Sequence, residues 1–268
     1  MSGRFDGTTA VVVGGGAHTE RALGIGEETA KLFAREGADV AVLDVDQTMA
    51  DRTVAAADVE ADALALECDV TDDASVEAAI GRVDDAFGGI DVLVNNVGIR
   101  IPASSIPESD DEDMARIVDV NLQGIARSCR HAIPVMARDG GAIVNLASAN
   151  ATIGRKEWGL YDATKAGVMA LTRDVACDHA EDGIRANAVS PGWTITDYHL
   201  GNVDDETARE RIEELTEPSE DGPAILRRHA HPREQAEAIA FLASDAASYI
   251  TGTTLDVDAG MNEVGLQL

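Results

Sequence analysis

Tyr161 and Lys165, a tyrosine and a lysine four residues apart, are the pair whose types and spacing most directly suggest chemistry. On a helix they lie on one face, so the phenol and the ammonium group can reach one small volume. A free phenol has a pKa of about 10, and a neighbouring cation lowers it toward neutrality, where proton exchange with an alcohol or a carbonyl becomes efficient. Ser148 follows an apolar run at residues 142–147, and its hydroxyl could hold the reacting oxygen. Any helix can carry such a pair by chance, but two of the three lysines of the chain lie in this stretch.

Alternating strand and helix patterns supply the elements that must position these side chains. The alternation predicts one α/β domain over residues 1–268, a Rossmann-type doubly wound parallel β-sheet of about seven strands with helices on both faces. The acidic segment 194–220 is expected to be mobile. Beyond the N-terminal unit, strands are predicted at 63–67, 91–94, 141–147, 185–189 and 254–257, and helices at 73–87, 110–138, 161–181 and 233–243.

The N-terminal unit predicts a nucleotide site. An apolar, β-branched run at 8–13 leads into glycines, a helical pattern follows at 29–36, and a second strand at 39–43 ends at Asp44. This order is typical of a βαβ dinucleotide-binding unit. Glycines let the backbone approach a pyrophosphate, and the helix start offers free N–H groups to it. The alternative interpretation is that the glycines only allow close packing of helix on strand.

The net charge of −28, from 49 acidic and 21 basic residues, is the strongest compositional feature. So acidic a surface repels nucleic acids and anionic membranes, and we expect neither as a partner. Few lysines and many aspartates are typical of proteins from extreme halophiles, because a Debye length of about 3 Å at molar salt screens the self-repulsion. We therefore expect a halophilic protein, with an ordinary acidic mesophilic protein as the alternative.

No stretch approaches the roughly 20 apolar residues of a membrane span, and the first residues lack the apolar core of a secretory signal. These features predict a soluble, cytoplasmic protein. Cys68, Cys129 and Cys177 are isolated and lack metal-ligand spacing, which indicates reduced thiols. The histidines form no metal-binding motif, so we expect no metal site.

Together these motifs resemble the classical short-chain dehydrogenase/reductase family over nearly the whole chain. The motifs that carry the resemblance are Gly24-Ile25-Gly26, Asp69, Asn95-Asn96-Val97-Gly98, Asn121-Leu122-Gln123-Gly124, Ser148 thirteen residues before Tyr161, the Tyr161 to Lys165 signature, Pro191-Gly192 with Thr196, Thr251-Gly252 and Val257-Asp258.

The resemblance implies a catalytic set of Asn121, Ser148, Tyr161 and Lys165. Tyr161 would be the general acid/base toward the substrate oxygen, which Ser148 would orient. Lys165 would lower the pKa of the phenol and bind the nicotinamide ribose. Asn121 would hold a water molecule in a proton relay behind the lysine, or it could simply satisfy helix backbone.

The resemblance also implies a nicotinamide cofactor. Asp44 would accept hydrogen bonds from the ribose hydroxyls and repel a 2′-phosphate, so NAD is preferred over NADP. Asp69 would bind the adenine amino group, although a helix cap would look the same locally. The implied cofactor-binding residues are Gly15, Gly24, Ile25, Gly26, Asp44, Asp69, Val70, Asn95, Gly98, Tyr161, Lys165, Pro191, Gly192, Thr194 and Thr196.

The glycine loop departs from the family pattern, because eight residues, 16–23, separate Gly15 from Gly24. The insertion, residues 18–21, resembles the longer loop of the enoyl-thioester reductase branch, which however spaces its catalytic tyrosine and lysine further apart. His18 and Arg21 are rival candidates for binding a phosphate. Gly14 stands where the family commonly has threonine.

A polar, carboxylate-bearing substrate, such as a sugar acid or keto acid held by Arg100 or Arg155, would explain the cations near the expected mouth. Alternatively, these cations pair with nearby acids such as Glu157 or lie at a subunit contact. The substrate candidates are Arg100, Asn150, Arg155, Trp158, Trp193 and His199, with Lys156 as a further cation.

The sequence thus predicts an NAD-dependent oxidoreductase that moves a hydride between nicotinamide and a secondary alcohol or ketone of a small polar substrate. The alternatives are a 3-oxoacyl-thioester reductase and a non-catalytic, dinucleotide-binding regulatory protein. The joint presence of the four catalytic residues favours an enzyme. Family members commonly pair through the helix of the catalytic tyrosine and the last strand, so we expect a homo-oligomer, a tetramer or a dimer.

Overall fold

The computed structural model of the chain describes residues 3–19, 24–57, 62–201 and 203–264. Its strands are β1 (Thr9–Val13), β2 (Asp39–Asp44), β3 (Ala63–Glu67), β4 (Val92–Asn95), β5 (Gly141–Leu146), β6 (Ile184–Pro191) and β7 (Thr254–Val257). They form one parallel sheet in the order β3-β2-β1-β4-β5-β6-β7, which confirms the predicted fold class. The order reverses between β1 and β4, and such a switch point is where doubly wound sheets bind their ligands.

Helices cover both faces of this sheet. Strand side chains alternate between the faces, so Val11 and Leu93 join one apolar cluster while Val12 and Val94 join another. The helices are α1 (Ile25–Arg35), α2 (Gln47–Ala57), α3 (Asp73–Phe87), α4 (Asp111–Val118), α5 (Gly124–Met136), α6 (Gly159–Asp178), α7 (Asp197–Leu200), α8 (Asp205–Thr216), α9 (Pro232–Ala243) and α10 (Met261–Val264). Helices α3, α5 and α6 bury the first cluster, and α1 and α9 bury the second.

The helix predicted over 110–138 is divided in the structure. Asp110 caps the start of α4, where its carboxylate accepts from the backbone N–H groups of Glu112 and Asp113. A single turn of π-helix, Asp119–Gln123, then separates α4 from α5. This widened turn brings Asn121 to the face that meets the strand ends.

The acidic segment expected to be mobile instead folds into α7 and α8. Ile195, Leu200 and Ala208 are fully buried in a small apolar cluster beneath these helices. The segment is tied to the rest of the fold by the backbone of Ala230, which donates to the Trp193 carbonyl and accepts from the N–H of Ile195. Within the described ranges, no helix is long and apolar enough to cross a membrane.

Candidate active site

Lys165 lies at the centre of the site, on α6, with its ammonium group facing the ends of β4 and β5. It is 4% exposed, and its Nζ donates to the carbonyl oxygens of Leu146 at 2.8 Å and Val97 at 3.5 Å. Burial lowers the pKa of this ammonium to about 8. Gly98 leaves room for it, because a Cβ there would lie 3.2 Å from the Nζ atom.

Tyr161, one turn earlier on α6, shares a side-chain hydrogen bond with the buried Ser148. Burial raises the pKa of the phenol, while Arg100, the Ser148 hydrogen bond and Arg155 lower it. The Lys165 ammonium group is directed at backbone carbonyls, and its expected effect on this pKa stays a prediction. Two cations that do lower the pKa of the phenol are the arginines.

Asn121, in the π turn, holds the loop that follows β4. Its Oδ1 accepts from the N–H of Ile99 at 2.7 Å, and its Nδ2 donates to the Ile99 carbonyl at 3.0 Å and to Thr164 at 3.3 Å. Both amide hydrogens are thereby used in contacts within the protein, and the relay water that the resemblance implied stays a prediction. The alternative, an amide that satisfies helix backbone, is wrong, because the backbone that it satisfies belongs to a loop.

Two asparagines at the end of β4 join neighbouring strands. Asn95 donates to the side chain of Asn145 at 2.8 Å and so braces β4 against β5. Asn96 donates to the carbonyl of Gly14 at 2.6 Å and ties this strand end to the glycine loop. Asn96 belongs to the motif that follows β4, but the sequence assigned it no role; its position directly after a strand that neighbours β1 was the available signal.

A cavity of about 1270 Å³ lies at the switch point, where a dinucleotide would bind. Gly14 has a φ of +76°, which explains why glycine replaces the more common threonine there. Gly26 allows close approach, because a Cβ there would lie 2.3 Å from the carbonyl oxygen of Gly14. Gly24 precedes α1 without a side-chain cap, so the first N–H groups of α1 are available to an anion.

Asp44 and Asp69 are among the acidic residues that line this cavity. Asp44, at the end of β2, accepts from the N–H of Gly16 at 2.9 Å. Asp69 accepts from the N–H and the hydroxyl of Thr71 at 2.9 and 2.7 Å. The cap of α3 is Asp72 rather than Asp69, so the helix-cap interpretation of Asp69 is wrong.

The inserted part of the glycine loop is described as far as residue 19. His18 lines the cavity, and the hydroxyl of Thr19 donates to the carboxylate of Asp197, at the start of α7, at 2.8 Å. Arg21, the other rival phosphate ligand, lies outside the described residues. The remaining implied cofactor residues that line the large cavity are Ile25, Val70, Gly98 and Thr196, whereas Gly15 packs beneath it against Val12 and Val42.

The end of β6 closes the nicotinamide side. Gly192 passes so close to β7 that a Cβ would lie 2.6 Å from the Cα of Asp258. The Thr194 hydroxyl accepts from Gln235 at 3.1 Å. Thr196 and His199 cap α7 reciprocally, because the Nδ1 of His199 lies 3.1 Å from the N atom and 3.0 Å from the hydroxyl of Thr196. Pro191 also lines this side.

A smaller cavity, of about 340 Å³, adjoins the first and is lined by Ser148, Tyr161 and Lys165. The structure brings all six substrate candidates to its walls, namely Arg100, Asn150, Arg155, Trp158, Trp193 and His199.

These candidates are not equivalent. Arg155 pairs with Asp162, with its Nε 3.2 Å and its Nη2 2.5 Å from the two carboxylate oxygens. Lys156 has an 88% exposed side chain and pairs with Glu157 at 3.2 Å. Both residues pair with acids in this structure, as the alternative interpretation expects. The sequence did not identify Asp162 as the partner of Arg155. One residue lies in a loop and the other at a helix start, so no regular spacing indicates the contact.

Arg100 is a pocket cation whose charge acts on both Tyr161 and His199. Its positive charge lowers the pKa of Tyr161, although burial outweighs it. Burial lowers the pKa of His199, and Arg100 lowers it further. The residue is exposed at the mouth of the smaller cavity. The positive charge of Arg100 would attract an anionic group that enters the pocket.

Known proteins share this architecture along nearly the whole chain. A family model described as enoyl-(acyl carrier protein) reductase matches residues 16–262. Over 265 residues the chain is 40% identical to cis-4-hydroxycyclohexanecarboxylate dehydrogenase of Sinomonas cyclohexanicum, covering 98% of this chain and 100% of that protein. It is 36% identical over 259 residues to meso-2,3-butanediol dehydrogenase of Serratia marcescens, with 96% and 95% covered. The solved aldohexose dehydrogenase of Thermoplasma acidophilum superposes with a TM-score of 0.78 at 33% identity, with 97% and 96% covered.

Proposed function

The chain belongs to the short-chain dehydrogenase/reductase family, and from that premise we propose that it is an NAD-dependent oxidoreductase acting on a secondary alcohol or ketone. The observation that carries the proposal is the hydrogen-bonded pair of Tyr161 and Ser148, backed by the buried Lys165, where the two cavities meet. NAD, when bound, supplies the hydride acceptor. A scaffold that only sensed dinucleotides would not need these three side chains together.

In alcohol oxidation, Ser148 holds the substrate hydroxyl and Tyr161 takes its proton as the hydride leaves the carbinol carbon. In ketone reduction the same phenol returns the proton. Lys165, which lies beside Gly98, would bind the nicotinamide ribose and supply a positive charge there. Asn121 acts through the backbone of Ile99, which lines the larger cavity.

The preference for NAD rests on Asp44. Its carboxylate lines the cavity at the end of β2, and the exposed Val45 beside it offers no cation to a 2′-phosphate. A phosphate placed there would be repelled by the Asp44 carboxylate. The test is the ratio of kcat/KM for NAD to that for NADP in wild type and in Asp44→Ala. The ratio should fall at least tenfold in the variant, and an unchanged ratio would contradict this assignment.

The substrate we infer is a small hydroxy acid or keto acid, including sugar acids, whose carboxylate pairs with Arg100. Two observations support this class: the field of Arg100 across the smaller cavity, and the similarity to a dehydrogenase named for a hydroxycyclohexanecarboxylate. A guanidinium and a carboxylate form two parallel hydrogen bonds, which fixes the orientation of the bound acid. Neutral diols and sugars are the competing class, in keeping with the names of the two other relatives.

The first experiment is a screen for NAD reduction in molar KCl against hydroxy acids, sugar acids, sugars and diols, with Tyr161→Phe as the control. For an acid that is turned over, the matched pair is that acid and its methyl ester. Arg100→Gln should raise KM for the acid at least tenfold and leave the ester unaffected. An equal rise in KM for the acid and for the ester would contradict the pairing of Arg100 with a carboxylate, while the proposed oxidoreductase activity would stand.

A 3-oxoacyl-thioester reductase remains the second candidate, because the matching family model is described as a reductase of acyl carrier protein substrates. The spacing of Tyr161 and Lys165 favours the dehydrogenase. NADH oxidation with acetoacetyl-CoA distinguishes the dehydrogenase from the thioester reductase. Turnover of acetoacetyl-CoA without turnover of any free acid would select the thioester reductase. Binding of NADH without turnover of any substrate would select the regulatory alternative.

We also propose a homo-oligomer that works in a high-salt cytoplasm. Support for the assembly comes from apolar side chains near β7 that remain exposed in one chain, Tyr249 at 102% and Phe241 at 36%. Support for the salt requirement is the charge of −28 on 268 residues. Light scattering across a KCl series tests the homo-oligomer and its dependence on salt. A monomer at every salt concentration would exclude the homo-oligomer.

A further inference from the structure

Arg155 lies beside the ring of Tyr161, where neighbouring side chains hold its guanidinium group in place. Its guanidinium lies 5.0 Å from the ring centroid of Trp158 and 5.8 Å from that of Tyr161. Two of its nitrogens contact both oxygens of Asp162, which directly follows the tyrosine. Asp162 is 8% exposed, and the Arg155 side chain is 24% exposed. The cation is therefore fixed by an aromatic face and a buried carboxylate rather than directed toward incoming substrate.

We propose that Arg155, clamped by Asp162 and Trp158, is a positioning residue that sets the charge environment of the Tyr161 phenol and does not bind substrate. The inference rests on the proposed function only in taking Tyr161 as the acid/base. It assigns Asp162 two opposed effects. The carboxylate holds the cation next to the phenol, where the cation lowers the pKa of Tyr161. Its own negative charge raises that pKa and so offsets part of the lowering.

Other groups face the same phenol from each neighbouring element. Arg100 approaches from the loop after β4, Ser148 from the end of β5, and Lys165 from the next turn of α6. His199 faces the same cavity from α7. None of these depends on Arg155 for a hydrogen bond among the described contacts. Their contributions should therefore remain when the clamp is altered.

The charges predict shifts of opposite sign. Burial raises the pKa of Tyr161, Arg155 lowers it, and Asp162 raises it. In Arg155→Gln the cation is lost while the carboxylate remains, so the pKa should rise by about one pH unit or more, as expected for an opposite charge about 4–6 Å away. In Asp162→Asn the stacked cation remains without its partner, so the pKa should fall. The double variant should return close to wild type.

The experiment is the pH profile of kcat/KM for oxidation of a neutral alcohol, which avoids any contribution from carboxylate binding. Arg155→Gln should move the rising limb to higher pH and lower kcat/KM about tenfold on the acid side. Asp162→Asn should move the limb the other way. Lys156→Gln is the matched control, because this neighbouring cation is exposed at the surface, where it contacts Glu157, and its loss should leave the profile unchanged.

A second readout keeps the test independent of turnover. Ultraviolet difference titration against Tyr161→Phe isolates one phenol among the three tyrosines of the chain. If no substrate is turned over but the titration shifts in opposite directions, the proposed function fails while the clamp stands. If Arg155→Gln raises KM for acids and leaves both profiles unmoved, Arg155 is a substrate ligand and the proposal is overturned. Should Arg155→Gln fold poorly, Arg155→Lys keeps the charge, and a shifted profile in that variant would also overturn it.

Discussion

Replacing Lys165 by methionine should stabilise the fold while it removes activity. The ammonium group is buried, and burial lowers its pKa from 10.5 to about 8. Each pKa unit corresponds to about 1.4 kcal/mol, so keeping the lysine charged at pH 7 costs roughly 3 kcal/mol of the free energy of unfolding. Methionine avoids this cost but gives up the hydrogen bond to Leu146, which contributes about 1 kcal/mol. The net gain expected at pH 7 is about 2 kcal/mol.

This gain corresponds to a rise in Tm of roughly 4–8 °C for a chain of this size. It should also depend on pH. Between about 8 and 10.5 the unfolded lysine binds more protons than the folded one, so the stability of wild type rises with pH across that window. In Lys165→Met that rise is absent, and the difference between the two proteins shrinks from pH 7 to pH 10. Thermal unfolding at both pH values, at fixed protein and salt concentrations, measures it.

Lys31→Met is the control with the opposite sign. Lys31 contacts Glu27 at 3.1 Å and Glu28 at 2.5 Å, and the Glu27 side chain is 1% exposed. Removing this cation leaves a buried carboxylate without its charged neighbour, so stability should fall. If Lys165→Met lowered Tm at pH 7 as well, the ammonium would be well compensated by the strand-end carbonyls, and the reasoning from burial would be refuted.

Three further changes follow from contacts around the cofactor cavity and from the charge. Gly26→Ala should lower NADH affinity at least tenfold in a fluorescence titration, since its Cβ would lie 2.3 Å from the backbone of Gly14. Asn96→Ala should lower the free energy of unfolding by about 1 kcal/mol, because the 2.6 Å hydrogen bond to that same carbonyl is lost. Dialysis from molar KCl into dilute buffer should lower Tm by several degrees, since the repulsion of 49 acidic groups is then unscreened; an unchanged Tm would remove the halophilic interpretation.

Elements with strong local signals were predictable from the sequence. The strand β3 and the helix α3 have the predicted bounds, 63–67 and 73–87, because a clear apolar pattern is bounded by a capping acid, Asp72, and by Gly88 in the left-handed region. The helix α2 was missed, because only Ala50 and Thr53 on it are buried and the pattern is weak. The π turn at Asp119–Gln123 has no periodic signal, since it inserts one residue into an otherwise helical run.

Contacts between distant parts of the chain account for what the sequence could not predict in the site. Most residues that line the smaller cavity were identified from the sequence, whereas Asn96 and Met261, which also line it, were not. The partner of Asn121 is Ile99, twenty-two residues away, and nothing in the spacing indicates that contact. Arg155 was assigned to the substrate because its partner, Asp162, resembles an ordinary surface acid in the sequence. Only the fold places that carboxylate in a buried position.

The difference between the two pocket arginines should depend on salt. Arg100 is exposed at the mouth, whereas Arg155 is partly buried between Trp158 and Asp162. At molar salt the Debye length is about 3 Å, which screens exposed charges but acts much less on buried ones. In molar KCl, Arg100→Gln should therefore leave the pH profile of a neutral alcohol almost unchanged, while Arg155→Gln still shifts it. At the lowest salt concentration in which the fold survives, both variants should shift the profile to higher pH. Equal salt dependence of the two variants would show that both guanidinium groups act on Tyr161 through solvent, and Arg155 would then have no special position.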